Sequence, residues 1–214
     1  MGVPAKQPSD LAPERAASLH RKENGSIAVS AAAAAMLVLM AVLMFTSAWN
    51  DSPTSDDNVS IISGYSYLRK QEYRLEPQNP PLIKDLGAFP LLFMKLHEPW
   101  DHPGWDKESD PDLLGREFLY KSGNDPDAIL RAAKAPMILF AVAFGAVLFW
   151  WMRKEFGASA ALLTLFLYTF SPTFLAHGRF VTTDVSAAAA FFITTVALLR
   201  FLQDPPLTIR FSTG

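Results

Sequence analysis

The chain has 214 residues, of which 50% are hydrophobic, and a formal net charge of −2. It contains no cysteine, which excludes disulfides, Cys-zinc sites and thiol nucleophiles. The near-neutral charge gives no indication of nucleic-acid binding. The charges are unevenly distributed, because the stretches 24–50, 135–152, 156–178 and 185–199 contain no Asp, Glu, Lys or Arg.

These uncharged stretches predict membrane-spanning helices, since about 20 apolar residues span the hydrocarbon core of a bilayer. We predict an all-α multi-pass membrane protein with about four spans, at 26–49, 135–152, 157–177 and 182–202. The first stretch exceeds the apolar core of a signal peptide and is interpreted as a retained anchor. Residues 1–25 are polar and contain three prolines, which predicts a disordered tail. Residues 203–214 form a second tail, and the small number of spans indicates a fragment truncated there.

The distribution of basic residues predicts the topology. Arg153 and Lys154 lie in the short turn after the second span, and Arg21 and Lys22 precede the first span. Because basic residues favour the cytoplasmic side, both tails and this turn are predicted to be cytoplasmic, in a plasma or inner membrane. The long connection 50–134 and the short connection 178–184 are then on the outer side.

The outer connection 50–134 is too long to lack structure of its own. Apolar residues at helical spacing predict a helix over 57–70. Residues 82–96 are apolar, too short to span and interrupted by Pro90, which predicts a segment in the membrane interface. Asp125 is predicted to cap a short helix over 128–134, and Pro136 to occupy the first turn of the second span.

The predicted topology brings the polar residues of separate segments to the same face. Asp56 and Asp57 follow the first span, and Asp56 is the candidate general base. Asp57 could share a proton or help to hold a divalent cation. The alternative is that both are solvated acids at a helix end.

Three further residues extend this candidate site. Lys84 and Arg179 are candidate phosphate-binding residues, because a phosphate at a membrane surface needs a fixed cation. The alternative is a snorkelling lysine and an interfacial arginine. Asp184 could pair with Arg179, or could orient the acceptor or bind a metal together with Asp57. The cofactor is left open, with a divalent cation as the candidate.

Four motifs carry a resemblance to a known family. They are Asp56-Asp57 followed by Ser63-Gly64-Tyr65-Ser66-Tyr67-Leu68, then Asn79-Pro80-Pro81-Leu82-Ile83-Lys84, then Ser171-Pro172 through Ala176-His177-Gly178-Arg179, and Thr182-Thr183-Asp184. Over roughly residues 26–203 the chain resembles the dolichyl-phosphate-mannose–protein mannosyltransferase-like membrane glycosyltransferases. These form glycosyltransferase family 39 and its bacterial relatives, in the GT-C class. The family usually has Asp-Glu and His-Pro-Pro-Leu where this chain has Asp56-Asp57 and Asn79-Pro80-Pro81-Leu82.

The resemblance implies transfer of a hexose or pentose from a polyprenyl-phosphate donor to a protein, glycan or lipid acceptor on the non-cytoplasmic face. It implies an inverting displacement in which Asp56 assists the acceptor nucleophile. The leaving lipid phosphate would be stabilised by Lys84 and Arg179. The alternative class is a non-catalytic membrane subunit or a transporter fragment, although transporters place their polar residues nearer the bilayer midplane.

Overall fold

The computed structural model describes residues 8–49, 51–106 and 110–203, with the backbone alone for 8–24 and 106. Within these ranges every regular element is helical, which confirms the all-α prediction. The helices are α1 (Pro8–Ala48), α2 (Ser55–Lys70), α3 (Pro81–Ala88), α4 (Pro103–Asp106), α5 (Pro111–Arg116), α6 (Pro126–Phe156), α7 (Ala158–Thr169), α8 (Pro172–His177) and α9 (Asp184–Gln203). A 3₁₀ turn at Phe89–Phe93 follows α3, and a π-helical turn at Glu117–Lys121 follows α5.

Among the described residues, three helices are long and apolar enough to cross a membrane, against four predicted spans. They are Gly25–Ala48 in α1, Pro126–Phe156 and Asp184–Gln203. Their buried side chains form one core with α7, which includes Met40, Ala141 and Leu165. At one end of this bundle, Arg153 of α6 donates to the hydroxyls of Ser26 and Ser30 in α1, at 2.8 and 2.9 Å.

The difference from four spans lies in the segment 157–177. Helix α7 has 12 residues, which at 1.5 Å per residue is about 18 Å and shorter than the hydrocarbon core. The chain then turns, and α8 begins at Pro172. Proline has no N–H to continue a helix and forces the preceding residue out of the helical region, as seen in the extended ψ of 120° at Ser171. The Ser171-Pro172 pair therefore divides this segment into two shorter helices.

Two further predictions about α1 and α6 need correction. Helix α1 begins at Pro8, so the tail predicted to be disordered is helical from that residue. Its segment 9–23 is rich in Ala, Leu, Glu and Arg, which are strong helix formers. Pro136 lies in the interior of α6 and not in its first turn, because the helix predicted over 128–134 continues into the span. Residues 1–7 and the predicted tail from 204 onward lie outside the described residues.

The connection between α1 and α6 folds around α2, which confirms the helix predicted over 57–70. Helix α2 packs against α3 and α5, and α3 packs against the first turns of α6. Buried side chains between them form a second core that includes Ile61, Ile62, Phe118 and Ile129. Helix α6 begins as predicted at an aspartate cap, since the side chain of Asp125 accepts a hydrogen bond from the N–H of Ala128 at 3.2 Å.

Glu98 joins α2 to the connection that follows α3. Its carboxylate accepts hydrogen bonds from Tyr65 at 3.1 Å, Arg69 at 2.8 Å and Trp100 at 2.6 Å. Burial, and then the Glu98 charge, raise the pKa of Tyr65 to about 12. Partial burial opposes ionisation of Glu98, but these three donors outweigh it and hold the pKa of its carboxyl below the usual value. The carboxylate is therefore a structural acceptor in this fold.

Gly64 allows α2 and α3 to approach each other closely. A Cβ atom at this position would lie 2.2 Å from the carbonyl oxygen of Lys84, a backbone atom that cannot move aside independently. We expect Gly64→Ala to destabilise the protein by about 3 kcal/mol, because overpacking forces the two backbones apart. The measurement is the thermal unfolding midpoint in detergent. The control is Gly25→Ala in α1, where no atom beyond the local helix backbone and the neighbouring residues lies within 4 Å of the new Cβ, so stability should be kept.

The segment after α3 presents apolar side chains at the level where the uncharged stretch of α6 begins. Gly87 packs against the carbonyl of Ala133, two residues before the uncharged stretch of α6 begins. Phe89 and Phe93 are 53% and 77% exposed. Exposed aromatic residues at this level favour contact with the interfacial region of the bilayer.

We expect a fluorophore attached to Phe93→Cys to be quenched by spin-labelled lipid and shielded from aqueous iodide. The cysteine-free chain permits single-site labelling. Arg116→Cys is the control, because the side chain of Arg116 is 59% exposed on a polar helix face. Equal iodide quenching at both positions would contradict membrane contact by this segment.

Candidate functional site

A cavity of about 200 Å³ lies between α2, the connection before α3 and the start of α9. Three predicted site residues line it: Asp56, Lys84 and Asp184. The structure thus brings together residues separated by up to 128 positions in the chain. The remaining lining residues are mostly polar, namely Val59, Ser60, Glu76, Asn79, Thr182 and Thr183.

The two adjacent aspartates of α2 face different surroundings. Consecutive helical residues point about 100° apart, so one can be exposed while the next is buried. Asp56 is exposed in the first turn of α2 and lines the cavity. Among the described residues, none forms an ion pair with Asp56. Its carboxylate is therefore accessible to a molecule in the cavity.

Asp57 is fully buried and does not line the cavity. Its Oδ2 accepts a hydrogen bond from the N–H of Thr54 at 3.1 Å, and the Thr54 hydroxyl accepts one from the N–H of Asp57 at 3.2 Å. This reciprocal pair is a capping box at the start of α2. Its Oδ1 accepts from the N–H of Val181 at 2.8 Å. Asp57 therefore attaches α2 to the connection before α9.

Lys84 is almost fully buried in the cavity wall. Its ammonium lies 2.8 Å from Oε2 of Glu76 and donates to the carbonyls of Glu76 and Asn79, at 3.1 and 3.4 Å. Asn79 in turn donates to the Glu76 carboxylate. Because an ammonium has three N–H groups, a phosphate would have to displace Glu76 to reach Lys84.

Asp184 is paired with His177 and not with Arg179, which corrects the predicted pairing. Nδ1 of His177 and Oδ2 of Asp184 are 3.0 Å apart, and the Thr182 hydroxyl donates to the same oxygen at 3.1 Å. Asp184 is the first residue of α9, where the helix dipole favours a negative charge. The charge at the start of this span therefore has local compensation.

Arg179 lies outside the cavity, at one end of a mainly apolar groove of about 530 Å³. The groove is lined from α1 by Leu43, Thr46 and Ser47, and from α8 and its start by Pro172, Leu175 and Ala176. The guanidinium lies 4.6 Å from the ring centroid of Phe180 and contacts the carboxylate of Asp51. The connection from α8 to α9 thus supplies Arg179 to the groove and Thr182–Asp184 to the cavity.

A buried lysine links Asp57 to the Asp51–Arg179 ion pair, so that negative and positive side chains alternate. Lys134 of α6 is 1% exposed, and its ammonium lies 3.5 Å from Asp51 and 3.8 Å from Asp57. With Arg179 bound to Asp51, the order of the charges is Asp57, Lys134, Asp51 and Arg179. The four formal charges sum to zero, which offsets part of the cost of burying them.

The sequence analysis did not single out Asp51, Glu76 or Lys134. Asp51 and Glu76 are acids in a connection that contains many, and nothing in their spacing distinguishes them. Lys134 could have been recognised from the sequence, since it is the last charged residue before the uncharged stretch 135–152. A lysine at that position of a span requires a partner or a path to water.

Asp57 and Asp184, the residues predicted to bind a metal together, do not form a metal site in this arrangement. Both carboxylate oxygens of Asp57 accept from backbone N–H groups, and Asp57 is separated from the cavity that Asp184 lines. In the ranges 8–49, 51–106 and 110–203, no group of three or more His, Cys, Asp or Glu residues could hold a metal ion.

The helical fold and the polar cavity at one end of its spans define the class, a membrane protein with an extramembrane site. Residues 128–209 match the family model of the dolichyl-phosphate-mannose-protein mannosyltransferases. The match confirms the resemblance found in the motifs and supports a GT-C-like glycosyltransferase. It includes Lys134, Arg179 and Asp184, and it begins after the segments that carry Asp56 and Lys84. No curated protein and no solved structure matches the chain.

The pairing of Lys84 with Glu76 gives a stability prediction. We expect Glu76→Gln to destabilise the protein by about 3 kcal/mol, because it leaves a buried ammonium without its counter-charge. The exposed pair of Arg200 and Glu155, 3.1 Å apart, provides the control, and Glu155→Gln should cost less than about 1 kcal/mol. Thermal unfolding of both variants in the same detergent measures the difference. Equal losses would show that burial of Lys84 does not depend on Glu76.

Proposed function

We propose that this chain transfers a sugar from a polyprenyl-phosphate donor to a hydroxyl group of a protein or glycan acceptor. The observation that carries the proposal is the cavity that Asp56, Lys84 and Asp184 line together, beside an apolar groove that ends at Arg179. A polyprenyl-phosphate sugar has the same arrangement of parts: an apolar chain, an anionic phosphate and a polar sugar.

In the proposed arrangement the apolar chain lies in the groove between α1 and α8. The phosphate lies near Arg179, which can hold two phosphate oxygens through its planar guanidinium. The sugar extends past the connection 180–183 into the cavity. Polar groups in the cavity wall, such as the hydroxyls of Ser60 and Thr182, can hydrogen-bond to the sugar.

The proposed reaction is a displacement at the anomeric carbon. The acceptor hydroxyl oxygen forms a bond to this carbon, while the bond from the carbon to the phosphate oxygen breaks. The phosphate leaves with the electron pair, and the hydroxyl proton passes to the carboxylate of Asp56. Arg179 stabilises the negative charge that develops on the leaving phosphate.

The other predicted residues have supporting roles in this proposal. Lys84 and Glu76 fix the cavity wall, and Asp57 fixes the first turn of α2 so that Asp56 faces the cavity. Asp184, held by His177, is placed to accept a hydrogen bond from the sugar or the acceptor. The location on the non-cytoplasmic face is supported by the basic residues of the predicted cytoplasmic turn.

Replacement of Asp56 tests the catalytic assignment. We expect Asp56→Asn to lower sugar transfer from polyprenyl-phosphate mannose by about 100-fold or more, because the amide cannot accept the hydroxyl proton. Transfer of radiolabelled sugar to endogenous acceptors in membranes that contain the chain measures the activity. Asp127→Asn is the matched control, because Asp127 is also an exposed acid in the first turn of a helix. Full activity of Asp56→Asn would show that Asp56 is not the base.

A further inference from the structure

Asp51 occupies a position that an anionic ligand would favour. Its Oδ2 contacts Arg179 and lies 3.5 Å from the ammonium of Lys134. In the described part of the chain, the buried Lys134 ammonium forms ion pairs but no hydrogen bond. Two cations, one from α6 and one from the connection between α8 and α9, therefore converge on one carboxylate, and the ammonium of Lys134 has unused donors.

The surroundings of these two cations indicate the class of ligand. Arg179 lies at the end of the apolar groove of about 530 Å³, and its side chain is 14% exposed. The groove wall from α1 belongs to a helix long and apolar enough to cross a membrane. A ligand that fits both parts has an apolar chain and an anionic head.

The charges indicate what happens when such a ligand binds. Asp57, Lys134, Asp51 and Arg179 sum to zero, so an added anion would leave the group with a net negative charge unless a carboxylate moves away. A sugar-linked polyprenyl phosphate is a phosphodiester with a single negative charge. Exchanging it for the carboxylate of Asp51 keeps the group neutral.

Asp51 is free enough to move. It lies in the non-helical segment 51–54, and its side chain is 27% exposed. It also lines a separate cavity of about 360 Å³ together with Pro53 and Tyr120. The other predicted phosphate-binding residue, Lys84, is paired with Glu76. The Glu76 carboxylate also accepts a hydrogen bond from Asn79, and its side chain is only 8% exposed. Displacement of a carboxylate is therefore easier at Arg179 than at Lys84.

We propose that the carboxylate of Asp51 occupies the binding position of the donor phosphate until the donor binds. The incoming phosphate binds between Arg179 and Lys134 and displaces the Asp51 carboxylate toward solvent. This inference rests on the proposed function, and it adds Lys134 as a phosphate-binding residue and Asp51 as an internal competitor. When the lipid phosphate is released, Asp51 returns to Arg179.

The test is binding of farnesyl phosphate to the 214-residue chain in phosphatidylcholine nanodiscs at pH 5, below the second pKa of a phosphomonoester at about 6, so that the probe carries a single negative charge as the donor does. We expect Asp51→Asn to bind farnesyl phosphate about tenfold more tightly, because it removes the competing charge and leaves the cations in place. Lys134→Gln and Arg179→Gln should each weaken binding. Farnesol and inorganic phosphate, tested alone, distinguish a lipid phosphate from a free anion, and both should bind more weakly than farnesyl phosphate.

The outcomes separate this inference from the proposed function. If Arg179→Gln binds as well as the unmodified chain, the lipid-phosphate site of the proposed function is wrong. If Arg179→Gln loses binding but Asp51→Asn binds equally or more weakly, the site stands and Asp51 is only a structural partner. Unchanged binding in Lys134→Gln would overturn the role given to that lysine.

Two further variants distinguish a change in affinity from damage to the fold. Asp51→Ser also removes the charge, with a smaller side chain, and should shift the affinity in the same direction as Asp51→Asn. Glu155→Gln removes an acid from an exposed arginine pair and should leave binding unchanged. Tighter binding in both Asp51 variants cannot result from unfolding, because a damaged site would bind less. Weaker binding in both would overturn the proposal.

Discussion

The geometry of the cavity depends on the buried carboxylate of Asp57. Its two oxygens accept hydrogen bonds from the N–H groups of Thr54 and Val181, and Lys134 lies 3.8 Å away. A buried carboxylate needs hydrogen-bond and ion-pair partners for its oxygens. These contacts therefore fix three parts relative to one another: α2, α6 and the connection that precedes α9. Asp56, one residue earlier, is thereby directed toward the segment that carries Asp184. A structural acid thus positions its candidate catalytic neighbour.

The break between α7 and α8 is equally important, because it creates the groove. A continuous helix through Ser171 and Pro172 would present an unbroken apolar surface to α1. The turn at this pair instead starts α8, whose residues face α1 across the groove and lead directly to Arg179. Proline gives this break a local cause in the sequence. The apolar part of the candidate site is therefore encoded by two adjacent residues.

The sequence predicted the placement of the site better than the interactions within it. Span alternation placed Asp56, Lys84 and Asp184 on one side, and the structure finds them around one cavity. Hydrophobic periodicity predicted α2, because packing against α3 and α5 requires an apolar face. The pairing of Lys84 with Glu76 and of Arg179 with Asp51 could not be predicted, since side-chain partners depend on how separate segments dock. The same is true of Asp57, which accepts a hydrogen bond from the N–H of Val181 in a distant segment.

The separation of Arg179 from Asp56 has a physical reason within the proposed reaction. The cavity is already lined by the carboxylates of Asp56 and Asp184, so a leaving phosphate placed there would add a further negative charge, whereas beside Arg179 it meets a cation. The connection 180–183 lies between the groove with Arg179 and the cavity with Asp56. A donor that crosses this connection has its phosphate beside cations and its sugar beside the base. The anomeric carbon between them would then meet the attacking oxygen on one side and the leaving oxygen on the other, as a displacement requires.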